Sequence, residues 1–441
     1  MSKKSWIALL LLLAIVNVVA YWPTNLYFLN DDFVHIPLTD YDKFFQNNSI
    51  RPLHELLVKM DLIFWGKQAF GFHTTQLLLH FIVCIQLFFL TRVIQMQWLQ
   101  VQKSIAEQVA FFSVALFLIY PQHAEALAWV LGRTPVLSAI FFIATLQLYF
   151  NKYFSWYTFV LGAVFFAATL FTYEQSILLP MLFFWLAFIE KQRALRKNKF
   201  VYAVVTSIAA IVYVIARKII TSDIVGTYEG GNFVTFNIQH LLANTFKIVC
   251  RLFINPSATK YFIYTTIILS CIAATLLFYQ RKILTNKAFI FFIAIIGLLI
   301  LPIISLGVTI RSFESSRYLY LPAIFIAMAL AMFLQSQKKK NKIIPLLLVL
   351  LIAYWSFGKI QSAIQYKQAS NYVQHNNQSI LQHFTTSSDT LTIDTLYLTI
   401  NRLPVYRVGF KSGIYWLAPT IDTNKIVVKY YHDEFINSEK K

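Results

Sequence analysis

Two adjacent carboxylates, Asp31 and Asp32, closely follow the first apolar segment and are the first residues of the chain suited to chemistry. The chain has 19 Asp and Glu residues against 38 Lys and Arg, so an acidic pair is unusual here. In a water-filled cavity, such a carboxylate can take a proton from an incoming hydroxyl. The structural alternative is a solvated turn or a helix cap, because Asn30 and the two aspartates are residue types common at both.

A second polar stretch lies at 120–133, between two later apolar segments. Pro121 can start a helix there, with His123 and Glu125 in its opening turns, and Arg133 opens the next segment. Glu125 can equally well complement the helix dipole. Glu174 is another single acid at a segment boundary, where it can line a cavity or orient a cation.

The composition is that of a polytopic helical membrane protein. The 441 residues are 58% hydrophobic, 17% aromatic and 13% charged, and apolar runs long enough to cross a bilayer recur. The net charge of +19 lies in short loops and forms no basic stripe with interleaved aromatics, so no nucleic-acid partner is expected. The three cysteines lack metal or disulfide spacing and are expected in the core: Cys84, Cys250 and Cys271.

Eleven transmembrane helices are expected, the first over 5–22 after Lys3 and Lys4. Ten further cores follow at 74–92, 105–120, 134–151, 156–172, 175–190, 200–219, 261–279, 288–307, 317–335 and 343–358. The loop cations fall on the side of Lys3 and Lys4, which predicts a cytoplasmic N-terminus and an extracytoplasmic C-terminus. A composition rich in Ile, Asn and Lys favours a bacterial inner membrane.

Several cations stand at span ends on the extracytoplasmic side, where topology disfavours them. They are Arg133, Arg217, Lys218, Arg311 and Arg317. Snorkelling towards the membrane surface explains any one of these side chains. Together they indicate an anionic partner, for which phosphate is the natural candidate because the guanidinium fork matches its oxygens.

The transmembrane domain is expected over 1–358, with an extracytoplasmic first loop at 23–71. Arg51-Pro52 begins an amphipathic helix in that loop, which is expected to lie in the membrane interface. A second apolar-sided segment, 239–254, is expected to be interfacial or re-entrant. Beyond 358 the chain becomes polar, and we expect a short helix over 359–383 followed by a small extracytoplasmic domain with β-strands.

These features resemble the GT-C superfamily of polytopic glycosyltransferases, and more closely the transmembrane O-mannosyltransferases with tetratricopeptide repeats. The stretches that carry the resemblance are Asn30-Asp31-Asp32, Arg51-Pro52-Leu53, Gly71-Phe72-His73, Leu79-His80, 120–126 with Gly132-Arg133, and 317–322. They occur in the family's order over most of residues 30–322. No single stretch is specific, and the ordered set carries the resemblance.

The resemblance implies that Asp31 or Asp32 is the base that activates the acceptor, and Asp31 is favoured. It also implies acids and arginines near the donor phosphate, at positions that match His123, Glu125, Arg133, Arg311 and Arg317. Two departures stand out. The repeat array is replaced by a short C-terminal domain, so a protein acceptor does not carry over. Tyr173 precedes Glu174, whereas those relatives tend to have Lys before this Glu.

The leading hypothesis is an inverting glycosyltransferase that moves a sugar from a polyprenyl-phosphate carrier to an acceptor outside the cytoplasm. The alternative is a flippase or transporter of lipid-linked saccharide, and a third reading is a polysaccharide polymerase or ligase. The expected partners are the lipid-linked donor, the bilayer, and a protein or glycan acceptor. No particular cofactor is predicted, and either positive side chains or a divalent metal can stabilise the leaving phosphate.

Overall fold

The computed structural model describes residues 3–40, 50–221, 227–228, 231–232, 237–257, 259–268, 286–337, 343–387 and 389–431. The protein is mostly helical, with a small region of strands near the C-terminus. Cys271 and the second half of the predicted span 261–279 lie outside the described residues.

The helices of the first half are α1 Lys3–Ala20, α2 Asp32–Asp40, α3 Pro52–Trp65, α4 Ala69–Val93, α5 Lys103–Ile119, α6 Ala124–Ala128, α7 Thr134–Phe150, α8 Trp156–Leu170, α9 Leu179–Phe188 and α10 Arg193–Thr221. Those of the second half are α11 Ile238–Arg251, α12 over 259–268, α13 Lys287–Ile300, α14 Tyr320–Gln337, α15 Ile343–Thr386 and α16 Phe410–Leu417. The strands are β1 Thr227–Tyr228, β2 Gly231–Asn232, β3 Leu391–Tyr397, β4 Thr399–Ile400, β5 Leu403–Pro404 and β6 Ile426–Tyr431.

Five helical segments in the described part of the chain are long and apolar enough to cross a membrane. They are Ile7–Asn25, Ala69–Trp98, Leu131–Phe150, Arg193–Thr221 and Ser316–Ser336. A sixth is present if α5 and the segment Pro121–Ala128, bent by 59°, form one broken span. Three other predicted spans are shorter apolar helices, and 343–358 is the first part of the 44-residue helix α15.

The centre of the bundle is made by α4, α5, α7 and α14, which pack closely on one another. Their apolar side chains, such as Phe142 and Phe325, are fully buried. Helix α10 lies at the outside and exposes aliphatic residues such as Ile208 and Ile211. An apolar face turned away from the protein is what a lipid environment requires.

The chain breaks sharply after α5 because Pro121 has no backbone N–H to continue the helix. Short helical turns then fold back across the end of the bundle as far as Arg133. Gly132 makes this return possible, since a Cβ there would lie 2.3 Å from the carbonyl oxygen of Glu125. The polar stretch identified in the sequence is therefore packed against the bundle and is almost entirely buried.

Helix α3 turns its polar side towards the protein and its apolar side outwards. His54 and Asp61 are buried, whereas Met60, Ile63 and Phe64 are exposed. Helix α11 shows the same arrangement, with Asn244 and Arg251 buried and its apolar residues exposed. Both helices thus present apolar faces suited to lipid.

Residues 359–383, expected from the sequence to form a separate short helix, instead continue the last apolar helix, and the two together form α15. Within that stretch the sequence contains neither Pro nor Gly, so nothing interrupts the helical hydrogen bonding. The strands that follow form a parallel pair, β3 with β6, and an antiparallel pair, β4 with β5.

The C-terminal segment, residues 389–431, packs directly onto the first loop. Phe33 stacks on Tyr406 at 6.1 Å between ring centroids, and Phe28 meets Trp416 at 5.6 Å. The Asn30 amide donates to the Val405 carbonyl at 2.8 Å. The two regions therefore share one hydrophobic core, and the C-terminal segment lies beside the acidic pair.

Candidate functional site

The site lies at one end of the bundle, where three segments meet. They are the first loop, the polar stretch 120–133 that folds back across the bundle (the 120–133 return), and the loop that precedes α14. The acidic pair stands at the start of α2, in a turn whose Asn30 has a positive φ of 49°. Asn tolerates this left-handed conformation better than most residues. The turn points the two neighbouring carboxylates in different directions, and their surroundings differ accordingly.

Asp32 is fully buried and held by backbone amides. One carboxylate oxygen accepts from the Leu29 N–H at 2.9 Å and the other from the Leu131 N–H at 3.0 Å. The Trp129 indole N–H donates to the Leu29 carbonyl at 3.2 Å, which strengthens the same junction. Asp32 thereby joins the first loop to the 120–133 return, and both its oxygens are occupied.

Asp31 is half-buried, and its Oδ1 accepts from the Asn30 side-chain amide at 3.1 Å. Burial raises the pKa of its carboxyl to about 6, although the nearby Arg317 opposes the shift. Glu314 adds a smaller rise by like-charge repulsion. A carboxyl with this pKa is ionised at neutral pH and basic enough to accept a proton from a reacting group.

Glu125 fixes the loop that carries Arg317. Its Oε2 accepts from the Arg317 backbone N–H at 2.9 Å, and its Oε1 lies 3.8 Å from Arg317 Nε. The guanidinium carbon of Arg317 lies 4.8 Å from the centre of the Trp129 ring. Arg317 is thus a largely buried cation held close to Asp31 by a carboxylate and an aromatic face.

Two further arginines converge on Glu174. Arg51 Nη2 lies 3.3 Å from Glu174 Oε1, and Arg217 Nη1 lies 3.6 Å from the same oxygen. Arg51 is also close enough to Arg317 for the two like charges to repel each other. Burial lowers the pKa of His35 to about 4, and both cations add to this shift. We call Arg51, Arg217 and Arg317 the cationic cluster.

The other predicted residues lie in different surroundings. His123 is buried among rings, 4.3 Å from Phe117 and 4.7 Å from Tyr320 between centroids. Arg133 is fully buried and forms an ion pair with Asp61. Arg311 is exposed, and its Nε donates to the Thr259 hydroxyl at 3.1 Å. The structure thus brings Asp31, Asp32, Glu125, Glu174 and Arg317 together, and it places His123 and Arg311 apart from them. Arg133 lies close enough to Asp32 to oppose the rise in pKa that burial imposes on that carboxyl, but its ion pair is with Asp61.

Sequence reasoning did not assign Arg51 or Asn30 a site role. Arg51 is predicted from the sequence to begin a helix and belongs to a stretch that carries the family resemblance, although, like Arg217, it is a cation on the side predicted to be extracytoplasmic. That topological signal was enough to single it out. Asn30 bridges to Asp31 through its side chain, and no pattern in the sequence indicates that contact. Among the described residues, no group of three His, Cys, Asp or Glu side chains is placed to hold a metal ion.

The fold and site define a helical membrane protein with carboxylates and arginines gathered at one end of its bundle. No family model matches the chain. A segment is 29% identical over 105 residues to "Protein O-mannosyl-transferase TMTC1" of Homo sapiens, covering 23% of this chain and 11% of that protein. "Protein O-mannosyl-transferase Tmtc3" of Drosophila melanogaster is 32% identical over 117 residues, 23% and 12% of the two chains.

Mouse TMTC1 is similar over the same share of this chain, at 28% identity over 105 residues and 10% of its own length. The chain therefore spans about a tenth of the length of the curated relatives it matches. This is a distant and partial homology to protein O-mannosyl-transferases.

The Arg133–Asp61 pair is expected to stabilise the fold. Replacing Arg133 by Met should leave a buried, unpaired carboxylate and lower stability by about 3–5 kcal/mol. The double variant Arg133→Met with Asp61→Leu should recover most of this loss, since it removes both charges. Thermal unfolding in detergent, followed by tryptophan fluorescence, measures both effects.

The exposed Arg311→Met is the matched control and should unfold like the wild type. A fully stable Arg133→Met protein would contradict the structural role of the pair.

Proposed function

We propose that this protein is an inverting glycosyltransferase of the GT-C type with Asp31 as its base. It transfers a sugar from a polyprenyl-phosphate carrier to an acceptor hydroxyl. The observation that carries the proposal is the placement of Asp31, a half-buried carboxylate that accepts from the Asn30 side chain and lies close to Arg317. The distant similarity to protein O-mannosyl-transferases supports the same reaction class.

The chemistry follows from the two kinds of charge at the site. Asp31 takes the proton of the acceptor hydroxyl as its oxygen attacks the anomeric carbon of the donor sugar. The bond between that carbon and the phosphate oxygen breaks, and the phosphate leaves with the bonding electrons. A single displacement inverts the configuration at the carbon, and Asp31 later returns the proton to water.

The cationic cluster is suited to stabilise the leaving phosphate. Arginine pairs with phosphate oxygens through two parallel N–H donors. Arg51 and Arg217 share one carboxylate, Glu174, so the three groups keep a net positive charge. The buried Nε atoms of Arg51 and Arg217 have no hydrogen-bond partner among the described residues, which leaves donors for an incoming anion.

The lipid chain of such a donor needs an apolar surface that leads to the site. Helix α3 begins directly after Arg51 and turns Ile63 and Phe64 outwards. Helix α10 ends near Arg217 and also has an apolar outer face. A polyprenyl chain lying against these faces would deliver its phosphate to the two arginines.

The proposed setting is a bacterial inner membrane crossed by eleven helices. With the N-terminus in the cytoplasm, the acidic pair, Glu174 and the C-terminal segment lie on the extracytoplasmic side. This arrangement agrees with the structure in that the first loop, the 120–133 return and the loop before α14 meet at one end of the bundle.

Transport of a lipid-linked saccharide is the second candidate. It is favoured by the 59° break between α5 and the segment Pro121–Ala128, since transporters commonly use discontinuous helices. Lys359, buried against Asn17 and the Leu118 carbonyl, adds a buried ionisable group beside the first apolar helix. A transporter would bind the donor without releasing its sugar.

Asp31→Asn should abolish transfer while leaving the fold intact. Loss of a catalytic base slows reactions by about a hundredfold to ten-thousandfold. Asp32→Asn should instead destabilise the protein by about 1–3 kcal/mol, because its amide nitrogen would face a backbone N–H. Sugar release from a panel of polyprenyl-phosphate sugars, measured beside thermal unfolding, separates the two effects.

Full activity of Asp31→Asn would rule out its role as base. Donor binding by the wild type with no sugar release from any donor would favour the transporter.

Activity should rise with pH, reach half of its maximum near pH 6, and level off above about pH 7. The base works only when ionised, and the pKa of Asp31 is raised to about 6. Arg317→Gln should move this midpoint to higher pH, because Arg317 lowers that pKa. The pH profile of kcat/KM measures the shift, and Arg311→Gln on the same loop should leave the midpoint in place. A profile without an acid limb between pH 4 and 8 would contradict this assignment.

Arg51→Gln and Arg217→Gln should each raise the KM for the donor by about tenfold, since charged hydrogen bonds to phosphate are lost. The KM for the acceptor should change little. Lys218 is exposed and directly follows Arg217, so Lys218→Gln serves as the matched control. Equal effects on donor and acceptor would argue against a phosphate site at these arginines.

A further inference from the structure

A cavity of about 550 Å³ lies in the C-terminal segment, next to the acidic pair. Its lining includes Tyr406, Arg407, Lys411, Ser412 and Tyr430. This volume is within the range of small-molecule sites. We call it the C-terminal cavity.

The side chain of Asn30 connects the rim of the C-terminal cavity to Asp31. The Val408 N–H donates to Asn30 Oδ1 at 3.3 Å, and Asn30 Nδ2 donates to Asp31 Oδ1 at 3.1 Å. Gly409 follows with a positive φ of 81°, and a Cβ there would lie 2.8 Å from Val34. The cavity wall is therefore pressed against α2, the helix that carries the acidic pair.

The accessible part of the lining is mostly polar, aromatic and basic, with Val408, 36% exposed, as its apolar member. Lys411 and Ser412 are exposed, and Tyr430 is 48% exposed. The apolar lining residues Leu398 and Phe410 are almost fully buried and form the floor. Hydroxyl groups and an open tyrosine ring suit a hydroxyl-rich ligand better than an apolar side chain.

The charge of the lining indicates the sign of the ligand. Both ionisable groups other than tyrosine, Arg407 and Lys411, are cations, and none of the described lining residues is acidic. Arg407 is engaged by Glu314, at 2.7 Å between Nη1 and Oε1. Lys411 therefore remains as the cation best placed for an anionic group of the ligand.

We propose that the C-terminal cavity is the acceptor site and that the acceptor is an anionic saccharide. Its carboxylate or phosphate contacts Lys411, a sugar ring stacks on Tyr430, and its reacting hydroxyl extends past Val408 towards Asp31. The acceptor role rests on the proposed glycosyltransferase function. Binding of the saccharide does not, so the two can be tested separately.

The test is calorimetric titration of the purified full-length protein in lipid nanodiscs. The probes are tetragalacturonate, neutral maltotetraose and a hexaglutamate peptide. Tetragalacturonate should bind best, and Lys411→Ala and Tyr430→Ala should each weaken it by about tenfold, the loss typical of one charged or stacking contact.

Two exposed residues nearby provide matched controls that should bind normally. Lys429→Ala removes a cation from the other side of β6, and Tyr415→Ala removes a ring that is 49% exposed but does not line the cavity.

Each other outcome overturns a defined part of the proposal. Preference for hexaglutamate would overturn the ligand class, and absence of binding by all three probes would overturn the site. Equal losses in the control variants would also overturn it. Retained tetragalacturonate binding without any sugar release from lipid-linked donors would overturn the proposed function and the acceptor role, while leaving the saccharide site in place.

Discussion

The buried carboxylate of Asp32 is the interaction on which the functional end of this protein depends. It accepts hydrogen bonds from Leu29 and Leu131, two backbone amides about a hundred residues apart in sequence. A buried carboxylate is tolerated only when its oxygens are satisfied, so these two segments must stay together. The position of Asp31 follows from this, because the turn that directs Asp32 inwards places Asp31 close to Arg317.

The same requirement organises the charges around it. Glu125 is buried with Arg317, Arg133 with Asp61, and Glu174 receives two arginines. Buried ions are costly unless they are paired, which explains why each of these three acids has an arginine close by. The pairs differ in exposure. The side chains of Arg133 and Asp61 are almost inaccessible to solvent, whereas those of Arg51 and Glu174 are partly exposed.

The C-terminal segment completes this end of the molecule. It shares a core with the first loop and reaches Asp31 through Asn30. In the proposed function, substrate recognition and proton transfer therefore lie on adjoining elements. The arrangement suits a transferase whose donor comes from the bilayer and whose acceptor comes from the aqueous side. We propose that the apolar outer faces of α3 and α10 serve the donor and that the C-terminal cavity serves the acceptor.

The sequence by itself determined the apolar helices, the acidic pair and the excess of arginines at span ends. These features depend on local composition and on the need to keep charge out of lipid. Both can be recognised in a single sequence without knowledge of contacts between distant segments. Tertiary structure alone decided which aspartate is sealed and which is available, since that depends on the distant amide of Leu131. It also decided that Arg133 pairs with Asp61 while Arg51 and Arg217 meet at Glu174. Such pairings arise from packing between segments far apart in sequence, and neither periodicity nor charge pattern encodes them.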